Sequence, residues 1–291
     1  MRFVVLGDLH YSLYPSRRLS AGRDEFFSRL FEKVAATAPE AVFLIGDVSH
    51  TSRVEELAGL REVARRAGVS HYYMVNGNHD LFRLTPEEIA QHNYNPRPGY
   101  FSLRLDKQGA FLSEPETNAA NHFIILNTGQ WGRPLDTAGV VDEAQLRWLA
   151  EEIARADQAE PLFVLGHHPL RDMTKWAWLP QMSIRNSQEL WQVLSRRERG
   201  VGFYFCGHNH NNSSVRRDNW LAVQTAAPLV SLSFRLVEIL EREVKISQVG
   251  IGGGERLVRL AGLLSTTQAN ITNLLSGQPP VTTGRSLTIS W

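Results

Sequence analysis

The chain has 291 residues, 31 Lys and Arg against 30 Asp and Glu, a formal net charge of +1, 43% hydrophobic and 21% charged residues. This is the make-up of a soluble globular protein with a sizeable core. The near-neutral balance argues against long nucleic acid as the partner, though not against a nucleotide as substrate. The single cysteine, Cys206, excludes an intrachain disulfide and a thiolate zinc site. No apolar stretch reaches membrane-span length, and a strand starting at Arg2 leaves no room for a signal peptide, so a cytoplasmic location is expected.

In chain order, Arg2-Phe3-Val4-Val5-Leu6 reads as a strand running into Gly7-Asp8-Leu9-His10. Asp24 to Ala36 reads as an amphipathic helix, with Phe27, Leu30, Phe31 and Val34 at helical spacing and Pro39 behind it. A second strand from Ala41 to Ile45 leads to Gly46-Asp47, with His50 just beyond. The next helix, Val54 to Ala67, stops at Gly68, and a strand from His71 to Val75 leads to Gly77-Asn78-His79-Asp80. This alternation predicts parallel strands with right-handed crossovers. After a short helix and the Pro/Asn-rich stretch Asn93 to Gly99 come strands at Tyr100 to Leu105 and His122 to Asn127. A helix from Asp142 to Ala156 follows, with Asp142 as its cap.

A second wave repeats the theme: strand 162–166 into His167-His168-Pro169, helix 187–197, and strand 202–206 into Gly207-His208-Asn209-His210. Two strand pairs end it, Ser213 to Arg217 with Trp220 to Gln224, and Phe234 to Leu240 with Val244 to Val249. Two waves predict two packed sheets with helices outside, both sending strand ends to one cleft. From Gly252 the sequence turns Gly-rich and then Ser/Thr/Asn/Gln-rich. Residues 1–250 are therefore expected to form the catalytic domain, and 251–291 a C-terminal tail, partly ordered or a docking segment.

In open α/β sheets ligands collect outside the carboxyl ends of the strands. Here those ends carry carboxylates, imidazoles and an amide, a donor set that suits Mn, Fe, Zn, Co or Ni better than Mg. Asp8 and His10 are one residue apart and can face one side of an extended strand end, as can His208 and His210. With Asp47, Asn78 and His167 they make seven donors, too many for one tetrahedral ion and suited to two. Two divalent ions bring about four positive charges, the two carboxylates and one hydroxide remove about three, and roughly one remains to hold an anionic oxygen, as in-line phosphoryl displacement requires.

The ordered set D-x-H, G-D, G-N-H-D, H-x-P and G-H-x-H, running from residue 7 to 210, resembles the calcineurin-like metallophosphoesterase superfamily. The resemblance implies an α/β fold, a four-layer αββα sandwich of two mixed β-sheets flanked by helices, with a dinuclear metal site at the strand C-terminal ends. It implies that Asp8, His10, Asp47 and His210 hold one ion, and that Asp47 bridges to a second completed by Asn78, His167 and His208. The ions expected are Mn, Fe or Zn. His79 is implied as the imidazole that contacts phosphate or protonates the leaving oxygen, with Asp80 orienting it. His50, three residues after Asp47, stands where purple acid phosphatases have a metal-binding tyrosine, and the G-D and G-N-H-D stretches differ from those of phosphoprotein phosphatases. The set looks more like the bacterial class III cyclic-nucleotide phosphodiesterases and their relatives.

The expected activity is that of a phosphoric diester hydrolase, with a metal-activated hydroxide attacking a cyclic nucleotide or another small phosphodiester. A phosphomonoesterase or nucleotide pyrophosphatase is the alternative within the enzymes, and a non-catalytic binding scaffold the alternative outside them. The expected partner is a small phosphate ester, with no membrane; self-association is open. His50, His168, Arg83 and Trp176 are candidate substrate-binding residues, together with Arg171, Lys175 and Trp178. Each has a plainer reading as a wall, packing or solvated side chain. His71, His92 and His122 read as surface or packing histidines.

Overall fold

The computed structural model describes residues 1–112, 121–267 and 286–291. In chain order its elements begin β1 (Arg2–Leu6), α1 (Arg17–Ala35), β2 (Ala41–Ile45), α2 (Val54–Arg66), β3 (Tyr73–Val75), α3 (Pro86–Ala90), β4 (Phe101–Leu105), β5 (Asn121–Ile125) and α4 (Glu143–Arg155). They continue with β6 (Leu162–Leu165), α5 (Ser187–Leu194), β7 (Gly202–Cys206), β8 (Ser213–Arg217), β9 (Trp220–Gln224), α6 (Pro228–Ser231), β10 (Ser233–Ile239), β11 (Glu243–Gly250), α7 (Gly254–Thr267) and β12 (Ser286–Ser290).

The strands form two six-stranded mixed sheets, ordered β12-β11-β10-β1-β2-β3 and β4-β5-β6-β7-β9-β8. β1, β2 and β3 run parallel, as do β5, β6, β7 and β9, and the remaining strands extend each sheet antiparallel. Alternate residues of β1 face opposite ways. Phe3 and Val5 enter the core between the sheets, with Phe43, Phe123, Phe163 and Phe205. Val4 and Leu6 pack under α1, α2 and α7 with Phe27, Leu30 and Leu257. A third core, including Val164, Tyr204, Leu149 and Leu190, lies between the second sheet and α4 and α5. Three apolar layers between four structural ones make the expected αββα sandwich. Phe3 locks the sheets face to face, its ring 5.2 Å from both Phe123 and Phe163 in edge-on contact.

Several boundaries differ from the sequence reading. α1 starts at Arg17, well before Asp24, because the Ser16 side chain accepts from Leu19 N. Its first turns show no apolar period, and Arg23 ties them down by donating to the Ser12 carbonyl at 2.8 Å. α5 ends at Leu194 rather than 197; Arg197 instead turns its guanidinium to the carbonyls of Asp157 and Glu160. Past Ile251, α7 lies against α1 and α6 and buries Leu257, Ala261 and Leu264, while β12 pairs with β11 as an edge strand. Residues 268–285 of the expected tail lie outside the described residues.

Candidate metal centre

Five loops leave the carboxyl ends of β1, β2, β3, β6 and β7 and turn at once. Backbone bonds run on beyond the strands: His10 N donates to Asp47 O at 2.8 Å, Tyr11 N to Val48 O at 2.9 Å, and Gly207 N to His167 O at 2.9 Å. The turn is made by the functional residues themselves. Asp8, His10, Asp47, His208 and His210 all have positive φ, between 46° and 68°. Side chains rarely adopt that conformation except where the surrounding structure enforces it, and such strain concentrates at functional sites. Two glycines make the crowding possible: a Cβ at Gly77 would collide with the Asp47 carboxylate, and one at Gly207 with that of Asp8.

The side chains converge. His10 Nε2 lies 3.1 Å from His210 Nε2 and 3.6 Å from Asp47 Oδ2. His210 Nε2 is 3.4 Å from Asp8 Oδ1. On the other side of Asp47, the same Oδ2 lies 3.3 Å from His167 Nε2, which is 3.2 Å from Asn78 Oδ1. Asp8, His10 and His210 thus form one cluster of ligand atoms, and Asp8, Asp47 and His167 another, with Asp8 common to both and Asp47 Oδ2 also within 3.6 Å of His10 in the first. All are buried. His167 gives its Nδ1–H to Ile45 O and His208 its Nε2–H to Gln181 O, both at 2.9 Å. A neutral imidazole has one N–H, so the remaining nitrogen of each is a lone pair, as metal ligation requires. Lone pairs and carboxylates packed this closely, out of water, repel one another unless a cation sits among them. The donor set fits a pair of transition-metal ions.

His79 is half-buried, its ring centroid 4.6 Å from that of His10. The expected orientation by Asp80 is corrected: the carbonyl of His50 takes the Nδ1–H of His79 at 2.7 Å. Asp80, fully buried, accepts instead from Ser49 N at 2.7 Å, Ser49 Oγ at 2.9 Å and Gly77 N at 2.9 Å. At this turn the two neighbouring side chains point apart, so Asp80 braces the loops behind the site. His168, expected at the substrate, is buried with both ring nitrogens engaged, Nδ1 with Thr128 Oγ1 at 2.8 Å and Nε2 with Thr137 O at 2.9 Å. It holds a loop, with its ring beside His208, centroids 4.4 Å apart. His50 is half-buried beside His10. Arg83 is exposed, and its carbonyl receives the indole N–H of Trp131 at 3.3 Å. Trp176 is half-buried at positive φ beside Lys175; none of the site's polar contacts described above involves it or Arg171, Lys175 and Trp178.

Four participants have no legible signal in the sequence. Gln181 accepts from His208 and also, through its side chain, from the backbone of Thr137 and Ala138 at 3.1 Å. Thr128 and Thr137 hold His168. Asn209, between the two histidines, donates to the carbonyls of Lys175 and Met182, seating loop 170–186 on the centre.

Residues 1–212 match the family described as calcineurin-like phosphoesterase. The chain belongs to that family. Its buried His/Asp clusters are consistent with that membership. Among curated proteins it is 28% identical over 123 residues to the 3',5'-cyclic adenosine monophosphate phosphodiesterase CpdA of Vibrio vulnificus, 42% of this chain and 43% of that protein. It is 37% identical over 87 residues to CpdA of Escherichia coli, 30% of each chain. Over a longer stretch it is 25% identical to the 3',5'-cyclic-nucleotide phosphodiesterase alr5338 of Nostoc, covering 73% of this chain and 72% of that one. The match to the CpdA proteins thus spans less than half of their length. Among solved structures, a dimetal phosphatase from Danio rerio superposes with a TM-score of 0.65 at 13% identity, over 86% of this chain and 96% of that one. A purple acid phosphatase from yellow lupin gives 0.54 at 12% identity, over 87% and 52%. These two establish the likeness of fold.

Burial sets the charge states of the centre. It holds His10 well below the ordinary imidazole range and, with His167 nearby, takes His208 down to about 4, so both are neutral donors. Burial also opposes charge on Asp47 and His167, but their mutual attraction outweighs it: the carboxyl is held well below its usual range and the imidazole is pushed up to about 9, so that without an ion His167 Nε2 holds a proton, which a metal would displace. Burial, then the Asp47 charge, raises Asp80 to about 7. Among the described residues no helix is long and apolar enough to cross a membrane.

Proposed function

We propose that the protein is a phosphoric diester hydrolase acting on a cyclic nucleotide or another small phosphodiester. The observation that carries the reading is Asp47 Oδ2 set between His10 Nε2 and His167 Nε2, at 3.6 and 3.3 Å, at the junction of two clusters of metal-ligating side chains. Asp8, His10, Asp47 and His210 would hold one ion, and Asp47, Asn78, His167 and His208 the other. Two such ions, with Mn, Fe or Zn proposed, supply Lewis acidity and bring a water's pKa toward neutrality. The chain's residues do the rest. The carboxylates keep the net positive charge small, so that an anionic ester is held without being trapped. His79, fixed through Nδ1 by the His50 carbonyl, would as imidazolium carry its second proton on Nε2, to be given to the departing alcohol oxygen. The seven ligands lie between residues 8 and 210, so residues 1–250 carry the chemistry and 251–291 have no part in it. The choice of a diester follows the cyclic-nucleotide phosphodiesterases that the chain resembles.

The test is elemental analysis of the purified protein, followed by rates on cyclic AMP, bis-p-nitrophenyl phosphate and p-nitrophenyl phosphate with added Mn, Zn or Fe. Two ions per chain and faster diester hydrolysis are expected. A strong preference for the monoester overturns the diester assignment, and chelation without effect on any ester overturns catalysis by the metal centre.

A further inference from the structure

One imidazole of the centre is held differently from its neighbours. His167 and His208 each give a ring N–H to a backbone carbonyl. His10 faces Asp47 and His210 through Nε2, and its Nδ1 lies 3.3 Å from Nδ1 of another imidazole, His50.

We propose that His50 is the positioning residue of His10: its Nδ1 accepts the His10 Nδ1 proton, which fixes the tautomer and ring orientation that present His10 Nε2 to the first metal ion. The inference rests on the metal-centre reading above. Its logic is one of proton count. Holding an ion requires a lone pair on Nε2, so the single proton of neutral His10 sits on Nδ1. The nitrogen opposite must then accept, and the proton of His50 itself sits on Nε2. Ligating histidines depend on such outer partners, whose loss costs about 10–100-fold in metal affinity.

His50 is itself well placed for the task. Its backbone N–H is tied to Tyr11 O at 3.2 Å. Its ring stacks on His79, with centroids 5.3 Å apart and planes 22° apart, and meets His10 edge-on at 73°. Its carbonyl receives His79 Nδ1–H. One loop residue therefore holds a metal ligand with its side chain and the proposed proton donor with its backbone. Substitution removes the first bond and leaves the second, so the two roles separate.

The experiment compares wild type, His50→Phe and His50→Gln by chelator competition with Mn and Co, and by proton NMR of the Co-loaded proteins. In His50→Phe one of the two ions is expected to bind about 10–100-fold more weakly, with the other within about threefold. In His50→Gln, whose amide oxygen can accept the same proton, much of that affinity returns. One exchangeable, hyperfine-shifted imidazole N–H signal moves in His50→Gln and is lost to solvent exchange in His50→Phe. If His50→Phe does not fold, His50→Gln decides alone, through the shifted N–H signal. Equal loss of both ions, unchanged affinity, or an unmoved N–H signal overturns the role of His50. Wild-type protein that binds no metal overturns the metal centre instead.

Discussion

At the scale of single residues, the centre is built by side chains that share atoms and by glycines that let them meet. His79 stands apart from the ligands and close to them, which makes its substitution informative. His79→Gln is expected to lower kcat by about 10²–10⁴ on an alkyl diester, with metal content unchanged. The loss should be much smaller on a p-nitrophenyl ester, whose leaving group needs no proton. Steady-state kinetics with elemental analysis checks both. Gly207→Ala drives a methyl group into the Asp8 carboxylate; metal affinity should fall at least about tenfold, measured by chelator titration. Part of this scale could be read in the sequence, because five of the seven proposed ligands, Asp8, Asp47, Asn78, His167 and His208, directly follow a glycine where an apolar strand stops. What could not be read was direction. Asp80 follows His79 in the chain, yet it turns to Ser49 and Gly77, and that depends on loop dihedrals set by three strands at once. The carbonyl of Gln181 that fixes His208 is likewise chemically silent in a sequence, since every residue has one.

At the scale of elements, helices with an apolar period were found near their true positions: α2 and α4 match their predicted spans within a residue or so. α1 shows why periodicity fails at helix starts. Its first turns depend on the Ser16 cap and on Arg23 reaching back to Ser12, neither of which repeats at helical spacing. Behind three glycines and a polar composition the sequence left α7 open, as a docking segment or a loose tail; Leu257, Ala261 and Leu264 form a buried stripe on α1 and α6. Leu257→Ala is expected to destabilise the protein by about 2–5 kcal/mol, read from the denaturation midpoint. Metal content and kcat should stay unchanged, because α7 packs on the helical layer and contributes no ligand.

At the scale of the whole molecule, acid and chelation act through different parts of the fold. His122 on β5 lies 3.4 Å from Glu152 on α4. Burial, foremost, holds His122 below its ordinary imidazole value. The unfolded chain therefore takes up that proton first, and stability present above about pH 6.5 is lost as the pH falls below it. Burial alone would raise Glu152, but His122, Ser102 and Arg155 beside it leave it lowered, so it loses stability in the same direction, further down the scale. His122→Gln should show a smaller drop in Tm between pH 7 and pH 5 than wild type; an equal drop refutes the assignment. Chelation at pH 7.5 should lower Tm as well, by the loss of roughly 3 kcal/mol for each ion that had been at a hundredfold excess over Kd.

The clasp between loops 129–140 and 170–186 has a consequence at this scale. Gln181 grips Thr137 and Ala138, Arg185 pairs with Asp136, and the same two segments anchor His208 and His168. The seating of His208 and that of His168 are thereby yoked. A chimaera that borrows one segment from a relative inherits a half-fastened buckle, and only grafts carrying both should keep the ions.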